Sequence, residues 1–303
     1  MAPTGLIFTP KARVREIIFL GTGTSGYVPN VTCIADKSSK CKVCKSSITP
    51  EGRKNKRRNT SLLVRIDHPD GRERNVVIDC GKSFYESALD VFIEHGIENI
   101  DAVLITHGHA DAIFGLDDLR QWTMHFGTSI PVYADQESFD TIAQAFPYIV
   151  DRTKATGSGA VAALEFHIIE DPYTAFDCQG VMFQPLRVEH GMYIDGSPFY
   201  FIGFRFDDIA YVSDCSKIPE KTAELMAGCK LLILDALRWT PHPSHFSYQQ
   251  ALDEVRRLKP ERTLFTDFCH DMEHSVLEEQ AAKIKAEENI IVEPSYDGQR
   301  VTF

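Results

Sequence analysis

The chain has 303 residues, of which 43% are hydrophobic and 25% charged, as in an ordinary soluble globular protein. Its formal net charge of -11 argues against a general nucleic-acid binder, which usually carries a basic face. No apolar run reaches the roughly 18 residues that a transmembrane helix needs, so we expect no membrane partner.

The N-terminal stretch from Met1 to Arg15 is basic but has no apolar segment before a small-residue cleavage site. We therefore expect no secretory signal and a cytoplasmic location. Lys11, Arg13 and Arg15 precede the first acid and leave a weak mitochondrial signal open, although strand-like residues follow at once. In such a chain the eight cysteines indicate metal ligands or buried thiols rather than disulfides.

The first predicted elements are a buried strand at 14–20 and a Gly-rich turn at 21–26. The turn completes neither dinucleotide nor Walker phosphate motifs, so we expect it to border the active site instead. Cys41-x-x-Cys44 follows and forms half of a tetrahedral zinc site, for which Cys33 is a candidate third ligand. A redox pair is the alternative, but no thioredoxin-like context surrounds it.

A basic run at 53–58 leads into a predicted strand at 60–66. Such runs are usually solvated loops, and the functional alternative is that Arg57 or Arg58 contacts an anionic substrate. A second buried strand at 75–81 and a helix at 82–95 follow.

The most informative stretch is the apolar run 102–105 and the residues directly after it, His107-Gly-His109-Ala-Asp111. Neutral imidazole is a common zinc ligand, and a carboxylate suits a harder ion beside it. A helix is predicted to open near Gly115. The motif predicts a metal site at a strand-to-helix turn, against the alternative of chance histidines in a polar loop.

The second half of the chain continues the alternation of strands and helices. Two predicted strands end in potential ligands, His190 after 181–188 and Asp214 after 208–213. Taken alone, the histidine reads equally as structural and the aspartate as a turn or helix cap. The remaining predicted elements are strands at 131–134, 162–170, 198–206, 231–235 and from 262, helices at 136–147, 248–258 and 274–288, and a terminal strand pair turning at Asp297-Gly298.

On the His-x-His-x-Asp motif and the strand-end residues, the sequence resembles the metallo-β-lactamase superfamily from Ile17 to the last strand. The Cys-rich insert makes it similar to the cyclic-phosphate phosphodiesterases of the carbon–phosphorus lyase pathway and to related predicted hydrolases of eukaryotes and bacteria. The resemblance implies an α/β fold, a four-layer αββα sandwich. It implies one domain over residues 1–303, with a zinc-binding insert at about 30–58; no internal repeat or linker argues otherwise.

The resemblance also implies roles for individual residues. Asp79 is expected to hold a metal-binding histidine in one tautomer. His245, with His242 as the weaker candidate, is expected to donate a proton to the leaving group. The implied Zn²⁺ ligands are His107, His109, His190 and Asp214 at the first catalytic site, and Cys33, Cys41, Cys44 and His270 at a structural site.

Two positions depart from the family pattern, since Ala112 and Asp267 stand where imidazoles of the second site are expected. That site retains Asp111, Asp214 and Asp267, and oxygen donors favour a harder ion such as Mn²⁺. Three outcomes stay open: two unlike metals, one metal only, or a second site rebuilt with Asp117 or His274.

The implied function is a metal-dependent hydrolase, a phosphodiesterase that cleaves a small cyclic or nucleotide-like substrate through a metal-bound hydroxide oriented by Asp111. The acidic chain argues against a nucleic-acid substrate, and a homodimer is left open. Two alternatives remain. One is a lactone or thioester hydrolase on the same fold, and the other is a non-catalytic binding protein with a degenerate second metal site.

Overall fold

The computed structural model describes residues 11–156 and 159–303. Residues 1–10, the larger part of the stretch considered for a targeting signal, lie outside the described residues. Within the described part of the chain, the structure contains no helix whose length and apolar character would let it span a membrane.

The elements alternate along the chain as the sequence predicts. The strands are β1 (Arg13–Gly21), β2 (Ser61–Asp67), β3 (Glu73–Ile78), β4 (Ala102–Leu104), β5 (Ile130–Ala134), β6 (Leu164–Ile168), β7 (Phe176–Cys178), β8 (Val181–Met192), β9 (Pro198–Phe206), β10 (Ile209–Val212), β11 (Leu231–Asp235), β12 (Arg262–Thr266), β13 (Val292–Pro294) and β14 (Arg300–Thr302). The helices are α1 (Val31–Ala35), α2 (Lys42–Ser47), α3 (Phe84–His95), α4 (Ala110–Ile113), α5 (Arg120–Phe126), α6 (Gln136–Ala145), α7 (Pro147–Val150), α8 (Glu220–Met226), α9 (Tyr248–Leu258) and α10 (His274–Glu288).

The strands form two sheets with related orders. The first sheet runs β14-β1-β2-β3-β4-β5-β6 and the second runs β13-β12-β11-β10-β9-β8-β7. Strands β3, β4 and β5 are parallel in the first sheet, as are β10, β11 and β12 in the second. Because parallel strands present their carboxyl ends at the same edge, the loops that follow them converge.

Alternating side chains build separate apolar layers on the two faces of each sheet. Ile17 of β1 packs with Phe204 of β9 between the sheets. Ile18, the next residue, packs with α3 on the outer face of the first sheet. On the outer face of the second sheet, Leu232 packs with α9 and α10. These layers confirm the α/β class and the four-layer αββα sandwich.

The prediction that the last two strands pair with each other is wrong. Strands β13 and β14 flank the turn at Asp297-Gly298, but β13 pairs with β12 and β14 pairs with β1 in the other sheet. The Asp297 carboxylate accepts hydrogen bonds from the Thr22 hydroxyl at 2.8 Å and from the Arg58 backbone N–H at 2.9 Å. These bonds hold the turn against the first sheet, so the chain crosses between sheets there.

A buried carboxylate joins β14 to β1 and β2. Glu16 is 1% exposed and accepts hydrogen bonds from Arg65 at 2.7 Å, from Arg300 at 2.8 Å and from Arg15 at 2.9 Å. Burial alone would raise the pKa of Glu16, but the hydrogen bonds from Arg300 and Arg15 outweigh it and lower that pKa. The carboxylate therefore stays ionised and binds guanidinium groups from three strands.

Replacing Glu16 with Gln tests this network. Because the guanidinium groups would lose their shared buried carboxylate, the free energy of unfolding at neutral pH should fall by about 3 kcal/mol. The pKa of Glu16 lies below its ordinary value of 4.5 in the folded protein. The loss should therefore be complete above pH 4.5 and shrink as the pH falls through the folded pKa.

Urea unfolding measured across pH checks this result. The control is Glu73→Gln, which removes a 42% exposed carboxylate from contact with Arg65. It should lower the free energy of unfolding by less than about 1 kcal/mol. Equal losses of unfolding free energy in the two variants would contradict a larger contribution from the buried Glu16 carboxylate.

Candidate metal centre

The carboxyl ends of the parallel strands of both sheets meet at one edge of the sandwich. This edge carries most of the polar residues that the sequence places after buried strands. From the first sheet come Asp79 after β3 and His107, His109 and Asp111 after β4. From the second sheet come His190 on β8, Asp214 after β10, Asp235 at the end of β11 and Asp267 after β12.

Three imidazoles, of His107, His109 and His190, gather at this edge. One nitrogen of each lies within 4.8 Å of the others. The ring centroids of His107 and His109 are 4.5 Å apart, and that of His190 is 5.5 Å from His107 and 5.4 Å from His109. The structure thus brings residues 83 positions apart around a common centre.

A hydroxyl relay fixes the tautomer of His107. The Thr106 hydroxyl donates to Asp79 Oδ2 at 2.7 Å and lies 3.0 Å from His107 Nδ1. When Asp79 is ionised, the hydroxyl proton is directed at its carboxylate, and the hydroxyl oxygen accepts the Nδ1–H of His107. His107 Nε2 is then left with a lone pair, and this buried atom has no hydrogen-bond partner among the described residues. Asp79 therefore acts on His107 through Thr106, a residue that sequence analysis did not single out.

The other two imidazoles are also suited to bind a cation. His190 Nδ1 donates to the Ser244 carbonyl at 2.8 Å, which leaves its Nε2 available. Burial lowers the pKa of His107 well below its usual value, and neighbouring imidazoles lower it further. Burial likewise lowers the pKa of His190 to about 3 and reduces that of His109. All three are therefore neutral at physiological pH, the form that coordinates metals.

Beside these imidazoles, three buried carboxylates surround a fourth ring. His245 Nδ1 lies 3.0 Å from Asp235 Oδ2, 3.0 Å from Asp267 Oδ2 and 3.9 Å from Asp214 Oδ1. Burial would lower the pKa of His245, but the charge of Asp235 and the carboxylate contacts raise it to about 12. The imidazolium neutralises only one of the three negative charges.

The cluster has an excess of buried negative charge. Burial raises the pKa of Asp214 and Asp267, and Asp111 raises both further. The charge of Asp267 also raises the pKa of Asp214. Burial and Asp111 raise the pKa of Asp79 to about 8 against the hydrogen bonds from Thr106. Unpaired buried carboxylates are costly, and a divalent cation at this edge would neutralise them. The orphaned His107 Nε2, the neutral imidazoles and the surplus carboxylates all fit such an ion.

The two residues that the sequence offered for a rebuilt second metal site, Asp117 and His274, lie away from this cluster. Asp117 accepts a hydrogen bond from the Tyr148 hydroxyl at 3.3 Å, and His274 Nε2 lies 3.2 Å from Glu278 Oε1. Neither belongs to the groups of potential ligands around the cluster within the described residues. The residue that joins the cluster instead is Asp235, whose Oδ2 accepts from the Cys215 N–H at 3.0 Å. The sequence feature that could have identified Asp235 is its position at the end of an apolar strand.

The two arginines expected to contact the substrate instead contact other parts of the protein. Arg57 has no exposed surface; it donates to the Cys269 carbonyl at 3.0 Å, and its guanidinium lies 4.9 Å from the Phe268 ring centroid. Arg58 is 8% exposed and pairs with Asp90. A basic residue that sequence analysis passed over, Lys82, is exposed and donates to the Ser25 carbonyl at 2.8 Å.

A second group of potential ligands forms away from the imidazoles. It consists of Cys33, Cys41, Cys44 and His270. The Sγ atoms of Cys33 and Cys41 both lie 3.5 Å from His270 Nδ1. A thiolate and an imidazole about 2.3 and about 2.1 Å from one zinc ion, at the tetrahedral angle, stand roughly 3.6 Å apart. The cluster fits a structural zinc that ties the insert to the loop carrying Asp267.

Comparisons with known proteins give one family and several relatives. A β-lactamase superfamily domain model matches residues 74–268. An octanoyltransferase of Porphyromonas gingivalis is 32% identical over 269 residues, which are 88% of this chain and 48% of that protein. The chain therefore spans about half the length of this curated relative.

Two solved structures resemble nearly the whole chain. A diphosphatase from the PhnP family is 32% identical, with a TM-score of 0.75 over 97% of this chain and 98% of that one. Zn²⁺-bound PqqB from Methylobacterium extorquens has a TM-score of 0.72 over 95% of this chain and 100% of that one. PqqB is 17% identical, so its likeness shows the fold alone.

The Cys44→Ser variant tests the thiol cluster. Loss of one thiolate should remove one equivalent of zinc per chain and lower the melting temperature, because the insert loses its link to the His270 loop. Elemental mass spectrometry of the purified protein measures the zinc. Cys80→Ser, at a buried thiol outside the cluster, should leave the zinc content unchanged. Unchanged zinc in Cys44→Ser would contradict the assignment.

Thr106→Val tests the relay to His107. The substitution keeps the side-chain shape but removes the hydroxyl between Asp79 and His107, so affinity for the ion at the imidazoles should fall about 10–100-fold. Competition with a chromogenic chelator measures that affinity. The matched control is Thr263→Val, because the buried Thr263 hydroxyl has no partner among the described residues. Equal affinities in the two variants would disprove the relay.

Proposed function

Because the chain belongs to the β-lactamase superfamily and, within it, to the PhnP family, we propose that it is a metal-dependent hydrolase of small phosphodiesters. The observation that carries the proposal is the cluster at the sheet edge. Three neutral imidazoles face a set of buried carboxylates, and one protonated imidazole lies among them.

The metal-binding roles follow from the donor atoms. We assign a first ion to His107, His109, His190 and Asp214, for which zinc fits the three imidazoles. A second ion would be held by oxygen atoms of Asp111, Asp214 and Asp267, which suit manganese. When bound, such ions polarise the phosphoryl oxygens and lower the pKa of a nearby water molecule.

The chain's own residues supply the proton transfers. Asp111 orients the attacking water and accepts its proton. His245 donates a proton to the leaving oxygen, a step worth roughly 10²–10⁴-fold in rate. The contact between Asp235 Oδ2 and His245 Nδ1 holds the ring in one orientation, which leaves Nε2 to serve the leaving group. Asp235 is thus a positioning residue, fixed in turn by the backbone N–H of Cys215.

Two findings favour a phosphodiester over other bonds. An alkoxide leaving group needs a proton, and His245 Nδ1 lies 3.0 Å from carboxylate oxygens of Asp235 and Asp267, which favour a protonated ring. The relative that is 32% identical over nearly its full length is a diphosphatase. Both support phosphoryl transfer to water rather than acyl transfer.

An acyl substrate is the second candidate. The curated relative from Porphyromonas gingivalis bears the name of an octanoyltransferase, so an octanoyl ester or thioester is a reasonable competing substrate. This chain spans only 48% of that protein, and the named activity belongs to the whole relative. A superfamily fold does not by itself decide which bond is cleaved.

The direct test compares bis-p-nitrophenyl phosphate with p-nitrophenyl octanoate, using protein loaded with Zn²⁺ or Mn²⁺. We expect turnover of the phosphodiester that is lost in His107→Ala. Turnover of the ester alone would overturn the phosphodiesterase proposal. Turnover of neither substrate by the loaded protein would favour a binding role.

His245→Asn tests the proton donor. Its kcat/KM should fall about 10²-fold or more on 2′,3′-cyclic AMP, whose alkoxide leaving group needs a proton. On bis-p-nitrophenyl phosphate the loss should be only a few-fold, because nitrophenolate departs without one. His242→Asn, whose ring centroid lies 5.2 Å from that of His245, is the matched control and should spare both substrates. Equal losses on the two substrates would refute the acid role.

A further inference from the structure

A cleft of about 380 Å³ opens beside His109 and His190. It lies between the start of α6 and the hairpin that joins β8 to β9, and it also reaches Ser244, the residue before His245. Its volume falls within the roughly 300–1,000 Å³ of small-molecule sites. A substrate group attached to the reacting phosphorus would therefore extend into this cleft.

One wall of the cleft is flat and aromatic. The Phe199 ring stacks on His109, with centroids 5.2 Å apart and an interplanar angle of 26°. Tyr193 packs edge-on against Phe199 at 5.4 Å, and Met192 beside it is 72% exposed. Planar rings bind well on such a surface because stacking adds to the apolar area that is buried.

The other wall is polar and acidic. Asp135 caps α6 by accepting the Ser138 N–H at 2.8 Å, and Glu137 accepts the Tyr193 hydroxyl. Among the described residues that line the cleft, none is lysine or arginine. The carboxylates would repel a second phosphate and would accept hydrogen bonds from sugar hydroxyls.

Positive side chains near the metal centre lie around a different cavity. Lys56, Arg58 and Lys82 line a space of about 250 Å³ beside the turn from β3 to α3. Gly81 of that turn packs directly against the Asp111 backbone, where an added Cβ would lie 1.7 Å from the Asp111 carbonyl oxygen. The two cavities beside the centre thus differ in charge.

We propose that the cleft at Phe199 binds an uncharged nucleoside of the phosphodiester substrate, with the base on Phe199 and the sugar hydroxyls near Glu137. This inference rests on the proposed phosphodiesterase activity and names its substrate class. An alkyl chain would offer no donor to the carboxylate oxygens that Ser138 and Tyr193 leave free, and a sugar bisphosphate would bring a second anion against them. A nucleoside fits the aromatic wall through its base and the acidic wall through its sugar hydroxyls.

The test uses p-nitrophenyl phosphodiesters that share one reacting centre: methyl p-nitrophenyl phosphate, thymidine 5′-(p-nitrophenyl phosphate) and the 3′-phosphorylated form of the latter. For the wild type, kcat/KM should be about tenfold or more higher for the thymidine ester than for the methyl ester, because one base is stacked. The 3′-phosphate should cancel this gain.

Variants show which residues cause the preference for the thymidine ester. Phe199→Leu should bring the thymidine-to-methyl ratio close to one, and Phe199→Tyr should keep it. Damage to the metal centre lowers both rates together and leaves this ratio unchanged. Glu137→Gln should reduce the discrimination against the 3′-phosphorylated ester. Phe126→Ala, at a 44% exposed ring outside this cleft, is the control and should not alter the ratio.

A wild-type ratio near one, or a ratio that survives in Phe199→Leu, would overturn the nucleoside site and leave the phosphodiesterase proposal standing. If neither ester is hydrolysed, the phosphodiesterase proposal fails instead. Calorimetric titration of the metal-loaded protein with thymidine 5′-monophosphate then decides the site. Binding that weakens in Phe199→Leu supports it, and absence of saturable binding overturns it.

Discussion

The rest of the structure depends on an excess of buried carboxylates at one edge of the sandwich. Asp79, Asp214, Asp235 and Asp267 are buried and follow or end parallel strands, whose carboxyl ends meet at this edge by topology. Asp111, in α4 after β4, is half-buried beside them. The imidazoles beside them are neutral, and one imidazolium cannot balance the cluster. A divalent ion at this edge would supply the missing positive charge. The catalytic chemistry is therefore a consequence of how the two sheets are wound.

Supporting residues keep this costly edge in place. Asp79 and Asp267 both adopt a φ of 64°, a left-handed conformation that aspartate tolerates better than most residues. Each turns the chain sharply at a strand end, and such local strain is typical of functional sites. The cysteine cluster anchors the loop after Asp267 through His270. A zinc ion bound by this cluster would thus support the geometry of the metal centre from a distance.

Much of the fold follows from local sequence patterns, because short apolar runs that end in polar or glycine residues mark the buried strands. Local patterns carry no information about which sheet a strand joins, and the pairing of β14 with β1 depends on Glu16, 284 residues from Arg300.

The same limit applies to the candidate site. The His-x-His-x-Asp motif pointed to the edge, but the contact of Asp235 with His245 required the tertiary structure. Arg57 reads as part of a solvated basic run and is buried because Cys269 and Phe268 enclose it.

We infer that this edge holds a divalent ion between His107, His109 and His190. Anomalous diffraction from crystals of the protein, collected above and below the zinc and manganese absorption edges, tests it most directly. We expect one peak at the cysteine cluster and at least one more within bonding distance of the three imidazoles. A peak at the cysteines alone, after soaking with either metal, would show that the three imidazoles do not bind a divalent ion.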